Sequence, residues 1–154
     1  MTKTKKQAVI FMDTYLAVVR NSVGSKMFRN LYVRIDGKKE DITENGNLSC
    51  AIFVSSILFL FKLIKEVHAT VNGTTRDLKE FGWQEIKKPK NGCVLVWAEK
   101  DFGQGSKHKH IGFYVGNKKA ISNNSKYGYP KEHGWNIFDG RKIEAIFWHP
   151  NLKN

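Results

Sequence analysis

From Ser49 to about Val67 the chain is apolar on nearly every side, Ser49-Cys-Ala-Ile-Phe-Val54 leading into Ser55-Ser-Ile-Leu-Phe-Leu60. A helix with no polar stripe has nothing to offer water, so it must be central, with other elements packed around it. Ser49 suits the N-cap position of such a helix, where a hydroxyl accepts from a first-turn N–H. Within Ala51–Ile64 the run also holds Ser55, Ser56 and Lys62, and it is too short for a bilayer crossing. It reads as a core helix, and no membrane span is expected.

The rest of the chain must supply the cover. Val9, Met12, Leu16 and Val19 recur three or four apart within residues 7–22, giving one face of an amphipathic helix that ends near Ser22–Gly24. Residues 26–48 join the short apolar piece Leu31–Val33 to the turn signals Asp36-Gly37 and Asn45-Gly-Asn47, and read as an irregular, substrate-facing stretch. A short helix is expected over Thr75–Phe81, stopped by Gly82, with a loop at Lys87–Gly92. The periodicity then changes. Cys93–Ala98, Ile111–Val115, Lys119–Ile121 and Arg141–Trp148 are short β-rich runs split by Gly and Asn, with Pro150 closing the last. Gly103-Gln-Gly105-Ser106 reads as a hairpin tip, Asp139-Gly140-Arg141 as a turn into the final strand, and residues 123–135 as a long irregular stretch. Helices first and an antiparallel sheet second make the fold class α+β. At 154 residues one domain is expected, with a helical segment over 1–25 and a core over 26–154.

The central helix begins with a cysteine. Unpaired N–H groups in a first turn carry partial positive charge, which favours thiolate. His110 opens the strand His110-Ile-Gly-Phe-Tyr-Val-Gly116, and an imidazole beside Cys50 would make a thiolate–imidazolium pair able to attack an acyl carbon. The N–H of Cys50 would then serve as half of an oxyanion hole. Most lone cysteines are inert core residues. What favours chemistry here is the helix start combined with a histidine-led strand downstream. Cys93 is the other cysteine, and two do not make a disulfide scaffold in a chain of this size. A Cys50–Cys93 bond would abolish the activity.

These pieces resemble the NlpC-type and CHAP peptidoglycan hydrolases, papain-like enzymes with a helix-borne cysteine and a strand-borne histidine. Ser49-Cys-Ala-Ile-Phe-Val54 resembles the nucleophile helix, and Asn91-Gly-Cys-Val-Leu-Val-Trp97 the strand that begins Gly-Asp in relatives. His110-Ile-Gly-Phe-Tyr-Val-Gly-Asn117 resembles the histidine strand and is the most specific of the three. The resemblance spans roughly Tyr32 to Trp148. Cys93 stands where relatives usually carry Asp, and the Asp-Cys-Ser-Gly form of many relatives is missing around Cys50. The resemblance implies a papain-like fold, cleavage of amides in wall peptide stems, and no metal or organic cofactor.

It also implies a third residue that orients the imidazole from the next strand, where the spacing lands on Ser122 with Asn123 and Asn124 beside it. A two-residue turn at Asn117-Lys118 would pair residues 112 and 123 and put Asn123 on the His110 face. A three-residue turn favours Ser122 or Asn124, because one step of register reverses the face. Asn123 is the expected member, as an amide oxygen accepting from the ring N–H. Tyr32 resembles the tyrosine upstream of the nucleophile in NlpC-type sites, a candidate for substrate or oxyanion contact.

Formal net charge is +12, which favours anionic partners such as wall polymers, nucleic acid or anionic lipid. A non-catalytic nucleic-acid binder is the competing class, built on Lys3–Lys6, Lys87–Lys90 and Lys107–Lys109, but no helix-turn-helix, zinc-finger or RRM signature accompanies them. A cytosolic acyltransferase or deamidase is a further alternative. His108 and His110 share a strand face as a metal pair would, with His133 or Cys50 as conceivable further ligands, yet no compact Cys/His motif supports a metal. The N-terminus has no signal-like apolar core. Synthesis in the cytoplasm, a monomer, and release to the wall by a non-classical or phage-type route are therefore expected.

Overall fold

The computed structural model describes residues 4–153. Helix α1 (Phe11–Asn21) buries Met12, Tyr15, Leu16 and Val19, close to the stripe expected from the spacing. The stretch taken as irregular holds a hairpin, β1 (Tyr32–Ile35) and β2 (Lys38–Asp41), turning at Asp36-Gly37 with positive φ at both. Helix α2 (Cys50–Leu60) follows, then α3 (Val71–Glu80).

Two helix boundaries differ from expectation. The central helix stops at Leu60 because Lys62 turns into the left-handed region (φ 56°) and the Leu63 N–H closes back on the Leu58 carbonyl. Leu63 and Ile64 stay buried, so apolarity runs past the helix end. Ser49 precedes α2, but its hydroxyl donates to the Arg29 carbonyl (3.3 Å) and does not cap the helix. The other helix starts at Val71, earlier than expected, because Thr70 caps it by accepting from the Gly73 N–H.

The main sheet contains β3 (Gln84–Glu85), β4 (Val94–Asp101), β5 (Lys107–Gly116), β6 (Lys119–Asn124), β7 (Tyr129–Gly134), β8 (Ile137–Phe138) and β9 (Arg141–Trp148). Its order is β3-β9-β4-β5-β6-β7, every neighbour antiparallel, with β8 folded onto β9. Strand β7 lies within the stretch expected to be irregular. Its sequence, Tyr-Pro-Lys-Glu-His-Gly, is polar and contains proline, as suits an edge strand that needs neither two apolar faces nor a full ladder.

Both faces of the sheet are covered, which is why Val94–Trp97 is apolar without alternation. Val94, Val96, Ile111, Phe113 and Ile121 meet α1 and α2 in one core, where Phe53 stacks edge-on against Phe28 and Phe113. Cys93, Leu95, Trp97, Ala120 and Ile146 form the core of the opposite face. Each step along β5 or β6 therefore changes which core a side chain meets.

Asp77 ties the chain leaving α2 to α3. Its carboxylate accepts from the N–H groups of Lys65 (3.2 Å) and Glu66 (3.0 Å) and from His68 Nε2 (2.6 Å). Burial pushes this carboxyl up, but the His68 ring and the two N–H groups outweigh burial and hold it below its usual value. A depressed native pKa adds stability that is present above the unfolded value of about 3.9 and is lost as pH falls through the native value. Asp77→Asn is expected to cost about 1–3 kcal/mol at neutral pH. Urea midpoints should converge with wild type as pH drops below about 4, and a pH-independent difference would refute the linkage.

Candidate active site

Cys50 is the first residue of α2, and its side chain is half-buried. With His110, Asn123, Phe138 and Arg141 it lines a cleft of about 880 Å³ between the α2 start and the ends of β4, β5 and β9. Cys93 lies in the opposite-face core, fully buried, and both thiols are free. Burial pushes the Cys93 thiol up to about 12, so it is inert at neutral pH.

The β5–β6 hairpin decides what meets His110. Its turn has two residues, Asn117 and Lys118, both at positive φ, as a type I′ turn demands. The register, however, shifts between Tyr114 and Gly116, so Val115 is an extra residue in β5. Gly112 therefore faces Ser122 rather than residue 123. Ser122 takes the His110 face, and Asn123 joins Ile121 on the helix side.

The contacts follow this parity. His110 Nε2 lies 2.8 Å from Ser122 Oγ. Asn123, the expected partner, donates its amide to the Gly46 carbonyl (2.8 Å) and makes no bond to His110. Asn124 Oδ1 accepts from the N–H groups of Lys126 and Tyr127 and closes the next turn. Tyr32 is 58% exposed, lies 4.4 Å beneath the Lys39 ammonium, and is not among the cleft-lining residues. His108 pairs with Ser106 (2.8 Å), and no group of three or more His, Cys, Asp or Glu among the described residues is placed to hold a metal ion.

Sequence reasoning weighed His133 only as a metal ligand and missed its link to Ser122. Ser122 Oγ also lies 2.6 Å from His133 Nε2, and His133 Nδ1 lies 2.8 Å from the Gly134 carbonyl. A carbonyl only accepts, so His133 Nδ1 carries the proton. Burial lowers the His133 pKa, which keeps the ring neutral and makes Nε2 an acceptor. The Ser122 hydroxyl must then donate to His133, leaving its oxygen to accept from His110 Nε2–H. That direction fixes the His110 tautomer with an unprotonated Nδ1, the form a general base needs.

The His110 ring is held by aromatic faces. Phe138 stacks on it at 3.9 Å and 8°, and Trp97, its cross-strand partner, lies at 5.4 Å. Burial, then the Arg141 charge, then His133, hold the imidazole well below its usual pKa. Burial likewise pushes the Cys50 thiol up, ahead of the opposing pull of the Ile111 and Ala51 N–H groups and Arg141. These directions run against a resting thiolate–imidazolium pair, because burial disfavours both charges.

Close approach of β5 and β6 at this point requires Gly112. A Cβ there would lie 2.7 Å from the Ile121 carbonyl oxygen, 2.7 Å from Ser122 Cβ and 3.2 Å from the Trp97 ring. Gly112→Ala is expected to cost about 1–3 kcal/mol in stability. It should also move the His110 imidazole resonances, which an NMR titration would read, and unchanged resonances would count against this packing.

No family model matches the chain, and no curated protein sequence matches it. Among solved structures, the chain is similar to one described as the structure of NlpC2 from Trichomonas vaginalis, with a TM-score of 0.55 and 14% identity. The match covers 92% of this chain and 48% of that one, so the chain spans about half the length of its structural neighbour. The likeness is one of fold. The architecture is α+β, with three α-helices among the described residues and antiparallel sheets.

Proposed function

We propose that this chain is a cysteine-dependent amide hydrolase, a single catalytic domain that acts on the peptide stems of peptidoglycan. One observation carries the reading. A cysteine at the start of a central helix shares a cleft with a histidine whose outer nitrogen is bound by a directed Ser122–His133 chain. The fold likeness to NlpC2 supports the same class.

The reaction follows from these groups. His110 Nδ1 takes the Cys50 proton as sulfur attacks the amide carbon, so charge develops only in the transition state. The Cys50 N–H at the helix start, free of any intrahelical partner, faces the developing oxyanion. His110 then protonates the leaving amine, and water releases the acyl group by the reverse proton transfers. Phe138 and Trp97 hold the ring and keep water from its faces. Ser122 and His133 are positioning residues that maintain the tautomer. The formal charge of +12 favours residence near anionic wall polymers.

Purified sacculi incubated with wild-type protein and with Cys50→Ala test the proposal, with mass spectrometry of released fragments. Cys50-dependent release of peptides bearing new amine and carboxylate ends is expected. Sacculi left intact by reduced wild-type protein would overturn the wall assignment.

A further inference from the structure

Arg141 is a buried cation for which the scheme above has no task. It opens β9, is 7% exposed, and lines the cleft with Cys50 and His110. The Asp139-Gly140 turn pairs it with Phe138, the residue stacked on His110. Its guanidinium lies 5.1 Å from the Phe102 ring centroid and 5.8 Å from that of Phe138. Two aromatic rings steady a cation but accept no in-plane hydrogen bonds, so the buried Nε is left without an acceptor while the terminal nitrogens are not fully enclosed.

The acids that might neutralise it are engaged elsewhere. Asp139 pairs with Lys100 and Glu144 with Lys109, each at 2.8 Å. Among the described residues, no carboxylate lies within ion-pair distance of Arg141, and its Nε is buried without a hydrogen-bond partner. Burial outweighs Asp139, which still favours the Arg141 charge from beyond ion-pair distance, and a buried cation with no direct partner in a cleft is a place for an anion.

We propose that Arg141 is a carboxylate-binding residue: the substrate carries a carboxylate next to its scissile amide, and the guanidinium clamps it beside Cys50. This rests on the cleft being the site of amide hydrolysis and adds the substrate's charge to that reading. A planar fork suits a carboxylate, which it grips with two parallel N–H···O bonds. Binding has a second effect. The Arg141 charge opposes protonation of His110, and a bound carboxylate screens that charge, so the imidazole becomes a stronger base once substrate is seated.

The test compares alkylation of Cys50 by iodoacetate and by iodoacetamide, followed by intact mass in wild type, Arg141→Gln and Arg141→Lys. Buried Cys93 does not compete in the folded protein, and peptide mapping reads Cys50 alone in the urea-denatured reference, where both thiols are open. The two reagents attack the same sulfur, so their rate ratio cancels changes in thiol reactivity and reads local anion preference. In wild type the iodoacetate-to-iodoacetamide ratio should exceed that of the urea-denatured chain by about tenfold, the equivalent of one nearby cation at moderate effective dielectric. Arg141→Gln should bring it down to the denatured value, and Arg141→Lys should fall between. A wild-type ratio equal to the denatured one, or a ratio unmoved by Arg141→Gln, overturns the proposal. Should Arg141→Gln not fold, wild type decides the matter by protection. N-acetyl-D-alanine should slow iodoacetamide labelling while its amide does not, and equal protection by both would overturn the proposal. No turnover is needed for either readout. A high, Arg141-dependent ratio with inert sacculi would keep the anion site and reject the wall substrate, and the converse result would do the opposite.

Discussion

Cys50→Ala and His110→Gln are each expected to lower kcat/KM on a cleaved substrate by about 10³–10⁴-fold or more, with the double variant falling little further. The near-absence of additivity is the sharper part, because nucleophile and base perform one step together and losing either forfeits it. Thermal melts should stay close to wild type for Cys50→Ala, since a half-buried thiol at a helix start contributes little packing. Ser122→Ala and His133→Gln should be graded, about 10–10²-fold, and should act on kcat more than on KM because neither reaches substrate. The pH profile carries its own sign. His110 must be neutral to act, and its pKa is held well below the usual 6.5 or so, so the acid limb of kcat/KM should lie well below that value. Either single variant within tenfold of wild type would remove the dyad from the mechanism.

Gly46→Ala is expected to be among the most damaging single-methyl changes in the protein, at about 2–4 kcal/mol. Gly46 sits at φ +90°, and a Cβ there would meet the Gly128 backbone at 2.5 Å, so no side chain can swing away to make room. The same contact carries the Asn123 amide to the Gly46 carbonyl and thereby ties the approach to Cys50 to the end of β6. Gly37→Ala is the matched control. Its φ is also positive (+81°), but a Cβ there meets nothing within 4 Å, so it reports backbone strain alone, about 1–2 kcal/mol. Urea unfolding of both variants separates strain from steric overlap, and equal losses would show that the Gly46–Gly128 approach is unimportant.

The central helix was legible because an all-round apolar run has one physical solution. Its end was not, because Leu63 and Ile64 remain buried after Lys62 has turned the chain. The last strand's limits, Arg141 and Trp148, could be read from Gly140 before it and Pro150 after it. β7 was hidden by its polarity, which is how an edge strand is written. The partner of His110 turned on a single inserted residue. The sequence left a two-residue and a three-residue turn open; the two-residue turn at Asn117-Lys118 forms, but a bulge at Val115, which leaves no mark in composition, moves the contact from Asn123 to Ser122. The roles of His133 and Arg141 escaped for a related reason: each looks like ordinary polarity until the sheet brings His133 to Ser122 and Arg141 to the cleft.

The outermost position of β7 has a thermodynamic meaning for the reaction. In the proposed reaction the His110 tautomer is enforced through Ser122 by a histidine on the last strand of the sheet, whose ladder runs along β6 and whose Pro130 carbonyl also accepts from the Gly24 N–H (2.9 Å). When that strand undocks, the serine proton loses its acceptor and can turn toward His110 Nε2, which moves the imidazole proton to Nδ1, the nitrogen that the proposed reaction needs unprotonated. The fraction of molecules able to react is then the fraction with a docked edge. Turnover and amide-exchange protection of β6–β7 should therefore fall together under mild denaturant, well before the core gives way.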